Sequence, residues 1–300
     1  MPSEEKQTPE ILRPVSYSIP APETLETLDP TPTSMSSIPA PVEPFRPVSS
    51  LFPDTSLFKP ITASFDSYNS MVGAGVAIFH LATSRVILCR HSAEKFWFLP
   101  KGRRDVNEES RVGAEREGFE ESGYRNRLLP IPVRHRQPRP HNPSSSSSTA
   151  REQSLQRERV GPQLVLEPVW TQLMPQSRTC QYIVFWYIAE TVPPDVEEAL
   201  NAAESANASE GNPTPYQQPP PYPEDLTLAK RIKMEPEGYE PLHHAGTGVD
   251  EDERLYDSHL LPVEVAMRLL RGSTQEMVVR KGWEAICLRN KMEIESEESG

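Results

Sequence analysis

Cysteine is scarce in this chain of 300 residues, where Cys89, Cys180 and Cys287 are the only three. They are odd in number, far apart and set among apolar neighbours such as Val86, Ile87 and Leu88. This argues against a disulfide framework or a cysteine-based zinc site and fits a reducing compartment, the cytoplasm or nucleus. Long hydrophobic runs are missing too. The longest, Tyr182 to Ala189, has about the length of a strand and falls short of the ~20 residues that a membrane-spanning helix needs. The first residues hold Glu4, Glu5, Pro9 and Pro14 and no apolar stretch of the kind that opens a secretory signal, so secretion is not expected. Positive charge is short: 31 Lys and Arg stand against 43 Asp and Glu, for a net charge of -12. That balance argues against a surface coated for non-specific nucleic-acid binding. Hydrophobic residues make up only 36% while proline reaches 33 residues, so much of the chain has little apolar surface to bury. One folded domain with disordered additions is the economical reading.

Residues 1–68 are rich in Pro, Ser and Thr, hold no sustained period, and read as a disordered tail. Order is expected from Met71 through Phe79, a buried strand, with Ser84 to Arg90 as its hairpin partner. The aromatic burst Phe96 to Leu99 ends at Pro100 and Lys101-Gly102, which predicts a turn followed by a helix. Leu164 to Leu173 and Gln181 to Ala189 predict two further strands, the second apolar enough to be central. Val263 to Leu270 and Gln275 to Arg289 have helical spacing. The pattern predicts an α/β layered domain over residues 69–292. Two polar insertions, about 134–162 and 193–252, are expected to be disordered, and residues 293–300 to be an acidic tail.

The segment from Gly102 to Tyr124 carries the chemistry. If it is helical from about Glu108, then Glu117, Glu120 and Glu121 stand at i, i+3 and i+4 and share one face. At ~4 Å and an effective dielectric of ~20, each like-charge pair costs about 4 kcal/mol, so close convergence needs cations, whereas a splayed face in water costs little. Magnesium, with oxygen ligands bridging carboxylates and substrate phosphates, suits the convergent case. A Glu-rich helix with interspersed arginines is ordinarily a solvated, salt-bridged face. Gly113 and Gly118 count against that here, since each costs ~1 kcal/mol relative to alanine in a helix interior.

Gly102, Glu108, Arg116-Glu117, Glu120-Glu121, Gly123 and Tyr124 fall in the register of the Nudix box, and the segment resembles that signature of the Nudix hydrolases. The departure is Gly118, where the family has a bulky aliphatic residue; either Phe119 or a neighbour fills the space, or the helix docks more closely. The resemblance implies an α/β/α sandwich around a mixed β-sheet and divalent-metal hydrolysis of a diphosphate linked to another moiety. It implies that Glu117, Glu120, Glu121 and the Gly102 carbonyl hold Mg2+, or Mn2+, and that Arg116 orients Glu117. It also implies that Glu117 or Glu120 lies nearest the attacking water, and that Glu108 supports the loop carrying the ligands. A further base from a later loop, Glu251 or Glu253, would be within reach.

The run from Phe96 to Arg103 resembles the corresponding stretch of Nudix enzymes acting on diadenosine polyphosphates and diphosphoinositol polyphosphates. Lys101, Arg103 and Arg104 would then add positive charge for a phosphorylated small-molecule substrate. Capped RNA is the one nucleic acid kept in view, as a substrate. Pro219-Pro220-Pro221-Tyr222 fits a ligand of WW domains. Ile232-Lys233-Met234-Glu235 resembles a SUMO-acceptor sequence, and His243 and His244 read as surface histidines. Besides the hydrolase, a Nudix-fold adaptor of weak catalysis, acting through its insertions, is the second class of function.

Overall fold

The computed structural model describes residues 61–138, 163–207 and 216–299. The small and β-branched residues that open the domain form β1 (Ser70–His80), which turns through Leu81–Thr83 into β2 (Arg85–His91). The two meet only at the hairpin end, Phe79 opposite Val86 and His80 opposite Arg85. Nearer its start the same side of β1 is taken by β4 (Lys101–Arg103), with Ala74 opposite Gly102. Meanwhile β3 (Trp97–Phe98) pairs with β2. The sheet therefore splays where β2 leaves β1, and the Pro100-Lys101-Gly102 turn occupies the opening.

Along its other edge β1 runs parallel to β9 (Gln181–Thr191), in register from Ser70 opposite Gln181 to Phe79 opposite Glu190. The strands β5 (Asn126–Leu128) and β8 (Trp170–Pro175) pair antiparallel with β9, and β10 (Tyr256–Pro262) pairs antiparallel with β2. The result is a mixed eight-stranded sheet. A separate pair joins β6 (Ile131–Pro132) to β7 (Leu164–Val165).

Period-2 alternation of apolar residues on both sides of the central strands builds two cores. Val76 and Ile78 of β1 join Ile87, Ala114, Leu128 and Ala189 beneath α1 (Ser110–Ser122). On the opposite face Ala77 and Phe79 join Val86, Leu88, Trp186 and Ile188 beneath α4 (Val263–Leu269) and α5 (Thr274–Ser299). Phe79 stacks on Trp283 of α5 with centroids 5.8 Å apart. This is the expected α/β/α sandwich. No described helix is long and apolar enough to cross a membrane.

Residues 1–60 and 139–162, which hold most of the expected tail and first insertion, lie outside the described residues. Residues 61–68 form no helix or strand. The second expected insertion is different. Between Pro193 and Asp252, apart from residues 208–215, the chain forms α2 (Pro194–Asn207) and α3 (Leu228–Lys233) and packs onto the domain. Leu228 and Tyr222 are buried, and polar side chains pin the segment to the sheet. Glu190 of β9 pairs with Arg127 at 2.7 Å and with Arg231 at 2.8 Å. Arg231 pairs in turn with Glu235 at 2.9 Å, and Glu235 meets His80 at 2.9 Å, every side chain at most 3% exposed. Removing one member of such a chain would strand a buried charge at about 3–5 kcal/mol.

That packing corrects two sequence readings and divides a third, since His243 is exposed as expected and His244 is half-buried. The Tyr222 ring lies between the guanidinium groups of Arg127 and Arg289, 5.0 and 4.7 Å from its centroid, so the Pro219-to-Tyr222 motif does not present its tyrosine to a WW domain. Glu235, the acidic residue of the SUMO-like motif, is committed to Arg231 and His80. His244 is tied to Glu197 of α2 at 2.7 Å, and the chain from His243 to His244 pairs with Tyr124 and Gly123 at the end of α1. Finally, the acidic residues after 292 continue α5 to Ser299 as a helical extension.

Candidate active site

The helix α1 owes its position to glycines. A side chain at Gly118 would meet the Asn126 amide at 2.6 Å and Val76 at 2.8 Å, so the helix lies close against β1 and β5. Asn126 uses the contact, donating its amide to the Glu115 carbonyl at 2.9 Å. Close docking is thus the answer to the Gly118 departure. Phe119 faces the other way, toward Tyr216, His244 and the Arg125 guanidinium. At the C-terminus Gly123 takes φ +71° and its N–H closes on the Phe119 carbonyl at 2.7 Å, a left-handed cap that favours glycine. A side chain on Gly102 would collide with the Glu117 carboxylate, so β4 can approach α1 only without one.

Arg116 organises the acidic groups. Its Nε and Nη2 donate to both oxygens of Glu108 at 2.9 and 3.0 Å, and its Nη1 donates to Glu117 at 3.0 Å and Glu120 at 2.6 Å. Nη2 also reaches the Arg103 carbonyl at 2.9 Å, tying helix to turn. Glu108 closes the turn from its side by accepting the Asp105 N–H at 2.8 Å. Burial pushes the Glu108 carboxyl up, but the Arg116 and Asp105 hydrogen bonds outweigh it and hold the group below the usual carboxylate value. Glu108 thus closes the turn that leads into α1, and Gly113 leaves it room.

Glu117 and Glu121 converge, and the third carboxylate of the cluster is Glu253. Oxygen atoms of the three lie within 4.8 Å of one another. Glu120 is not in this group, because its carboxylate turns to Arg116. Of the two later candidates Glu253 arrives and Glu251 stays exposed. Glu253 sits in the short turn Glu253–Leu255 ahead of β10, and its carboxylate accepts the Val249 N–H at 2.6 Å, which fixes the loop. Thr247 of the same loop donates to the Glu120 carbonyl at 2.9 Å. The 243–253 stretch is thereby folded along α1, which is how a residue more than a hundred positions away reaches the helix.

Burial pushes the Glu117 carboxyl up to about 7, with Arg116 opposing and Glu120 and Glu253 adding to it. Burial likewise pushes Glu121 up to about 8, opposed by Lys101 and reinforced by Glu117 and Glu253. The Lys101 N–H donates to Glu121 at 2.7 Å. At these separations each ionised pair repels by about 3–4 kcal/mol at an effective dielectric of ~20. Three oxygen-bearing groups with so little compensating charge fit a hard divalent cation. The remaining expected residues divide: Lys101 is half-buried beside Glu121, Arg103 is exposed, and Arg104 is committed to the Glu108 carbonyl at 2.8 Å.

Residues 70–206 match the model of the NUDIX domain. Similar solved structures include a NUDIX-family hydrolase from Clostridium perfringens, 17% identical, covering 73% of this chain and 97% of that one, with a TM-score of 0.33. A NUDIX hydrolase from Nitrosomonas europaea is 13% identical over 42% of this chain and 63% of that one, TM-score 0.25. An Ap4A hydrolase binary complex from C. elegans is 13% identical over 70% and 93%, TM-score 0.29. No curated protein matches the chain. The family model spans the strand, turn and carboxylate helix just described, so residues 70–206 carry a NUDIX domain.

Proposed function

We propose that this protein hydrolyses a diphosphate linkage in a phosphorylated small molecule, with magnesium or manganese held at the carboxylate cluster. The observation that carries this reading is the convergence of Glu117, Glu121 and Glu253 on one point, two of them buried and all of one charge. Glu117, Glu121 and Glu253 would bind the ion, and the Nudix resemblance adds the Gly102 carbonyl and Glu120 to that set. When bound, the ion supplies positive charge against phosphate oxygens and makes water a better nucleophile at neutral pH.

The protein's own residues do the rest. Arg116 orients Glu117 and Glu120, and Glu108 holds Arg116. A carboxylate of α1, Glu117 or Glu120, accepts the proton of the attacking water. The water oxygen bonds to phosphorus, the P–O–P bond breaks, and the departing phosphate keeps the bridging electron pair. Lys101 and Arg103 draw the polyphosphate toward β4.

The test is product release, with magnesium present, from nucleoside diphosphate derivatives, dinucleoside polyphosphates, inositol pyrophosphates and capped RNA. Glu117→Gln and Glu120→Gln are each expected to lower turnover at least ~100-fold with the fold retained by circular dichroism. Wild-type rates in both variants would remove the mechanism.

A further inference from the structure

Helix α5 buries one face and leaves the other uncovered. Val278, Val279, Trp283 and Ile286 pack on the sheet face opposite α1. The outer side carries Met277, Leu288 and Ile294, which are 36, 41 and 47% exposed. Glu284, half-buried Cys287, Leu288, Lys291 and Ile294 line a groove there. Exposed apolar residues scattered singly are ordinary, but three along one helical ridge form a patch.

Charge along the ridge selects what fits it. Glu284 and Lys291 are both exposed and stand on either side of Cys287-Leu288. At a rise of ~1.5 Å per residue they are about 10 Å apart, too far to pair with each other in one helix. Lys291 has Glu295 at 3.7 Å, but those side chains are 71 and 62% exposed and such a contact is worth little in water. The neighbouring charges are engaged: Arg280 with Glu276 at 2.8 Å, Arg289 with Glu293 at 2.7 Å, and Lys281 over the Trp170 ring at 5.6 Å. Past them Glu295, Glu297 and Glu298 make the C-terminal end acidic.

A second copy of α5, run antiparallel about a two-fold axis between Cys287 and Leu288, satisfies this pattern. Glu284 then faces Lys291 of the second copy and Lys291 faces its Glu284, so one pair is made twice. Leu288 and Cys287 gather at the axis, and the acidic end lies along the half that carries Arg280 and Lys281. A parallel pair sets Glu284 on Glu284 and Lys291 on Lys291. Sliding the antiparallel helices by a heptad either way makes one of the same clashes, and such charge matching is what fixes helix orientation. We propose that the outer face of α5 is the interface of a homodimer with antiparallel helices. Since α5 and α1 cover opposite faces of the sheet, both carboxylate clusters stay open in it. The contact spans about three turns a side, at the small end of specific interfaces, so the dissociation constant is on the order of 10 μM.

Sedimentation of the full chain from about 1 to about 500 μM tests this, with Glu284→Lys, Lys291→Glu and the double exchange beside the wild type. The wild type should dimerise with concentration. Each single variant should raise the dissociation constant at least ~10-fold, and the double exchange should return it to within about threefold, because it rebuilds both pairs with the signs reversed. In a Cys180→Ser background, which leaves Cys287 and the buried Cys89, a short bismaleimide should join two chains, and adding Cys287→Ser should abolish the link. A monomer at every concentration, a dimer that neither single variant weakens, a double exchange as weak as the single ones, or a dimer that does not cross-link through Cys287 overturns the proposal.

Discussion

Stripping the protein of divalent metal and raising the pH should destabilise it, because the fold holds Glu121 in a place where ionisation is unfavourable. Its carboxyl titrates near 4.5 in the unfolded chain and is pushed up to about 8 by burial in the folded one. A folded-state value above the unfolded one means a contribution that is complete below pH 4.5 and is lost as the pH climbs through 8. At 1.36 kcal/mol per pH unit of difference, the loss for Glu121 between pH 5 and pH 8 is about 3 kcal/mol. In a domain of this size that corresponds to roughly 6–12 °C in Tm.

The assay is thermal unfolding of chelator-treated protein from pH 5 to pH 8, alongside Glu121→Gln. The amide oxygen keeps the hydrogen bond from the Lys101 N–H and removes the titration. The wild type should lose stability over that interval by the stated margin more than the variant does. Magnesium should restore the wild type at pH 8 and do little at pH 5, since the ligands must be deprotonated to bind. Parallel profiles for the two proteins, or equal stabilisation by magnesium at both pH values, would refute the reasoning about this buried carboxylate.

Glu253→Gln should weaken magnesium binding at least ~10-fold by calorimetry, with Glu251→Gln, an exposed neighbour, at the wild-type affinity; equal effects would remove Glu253 from the cluster. Gly118→Leu should cost at least ~2 kcal/mol in urea unfolding, because the side chain the family ordinarily carries there would strike Asn126 and Val76, and a neutral result would mean that α1 moves away from the sheet freely. Tyr222→Ala should cost on the order of 3 kcal/mol through the loss of a buried ring between Arg127 and Arg289, while the folded wild type should fail to bind WW domains in a pull-down.

The helix with its register of Glu108, Arg116, Glu117, Glu120, Glu121 and Gly123 was legible because each constraint is local: a turn, a helical period, a glycine cap. The hairpin of β1 and β2 and the central place of β9 were legible for a similar reason, since buried strands need apolar residues at every position. The order in residues 216–252 was not. Its anchors are buried polar groups, Arg231 to Glu190 and Gln218 to Glu115, joined across 41 and 103 positions with no periodic pattern to read.

By itself, then, the order of amino acids determined the strand-turn-helix unit and the face its carboxylates share, because neighbours three and four apart in a helix must lie together. Tertiary structure alone decided which carboxylates meet. Arg116 draws Glu120 aside, and the loop held by Thr247 and Val249 delivers Glu253 in its place. Spacing along a chain says nothing about groups that come close only when distant segments pack, and desolvation, which raises Glu117 and Glu121, exists only once that packing has excluded water.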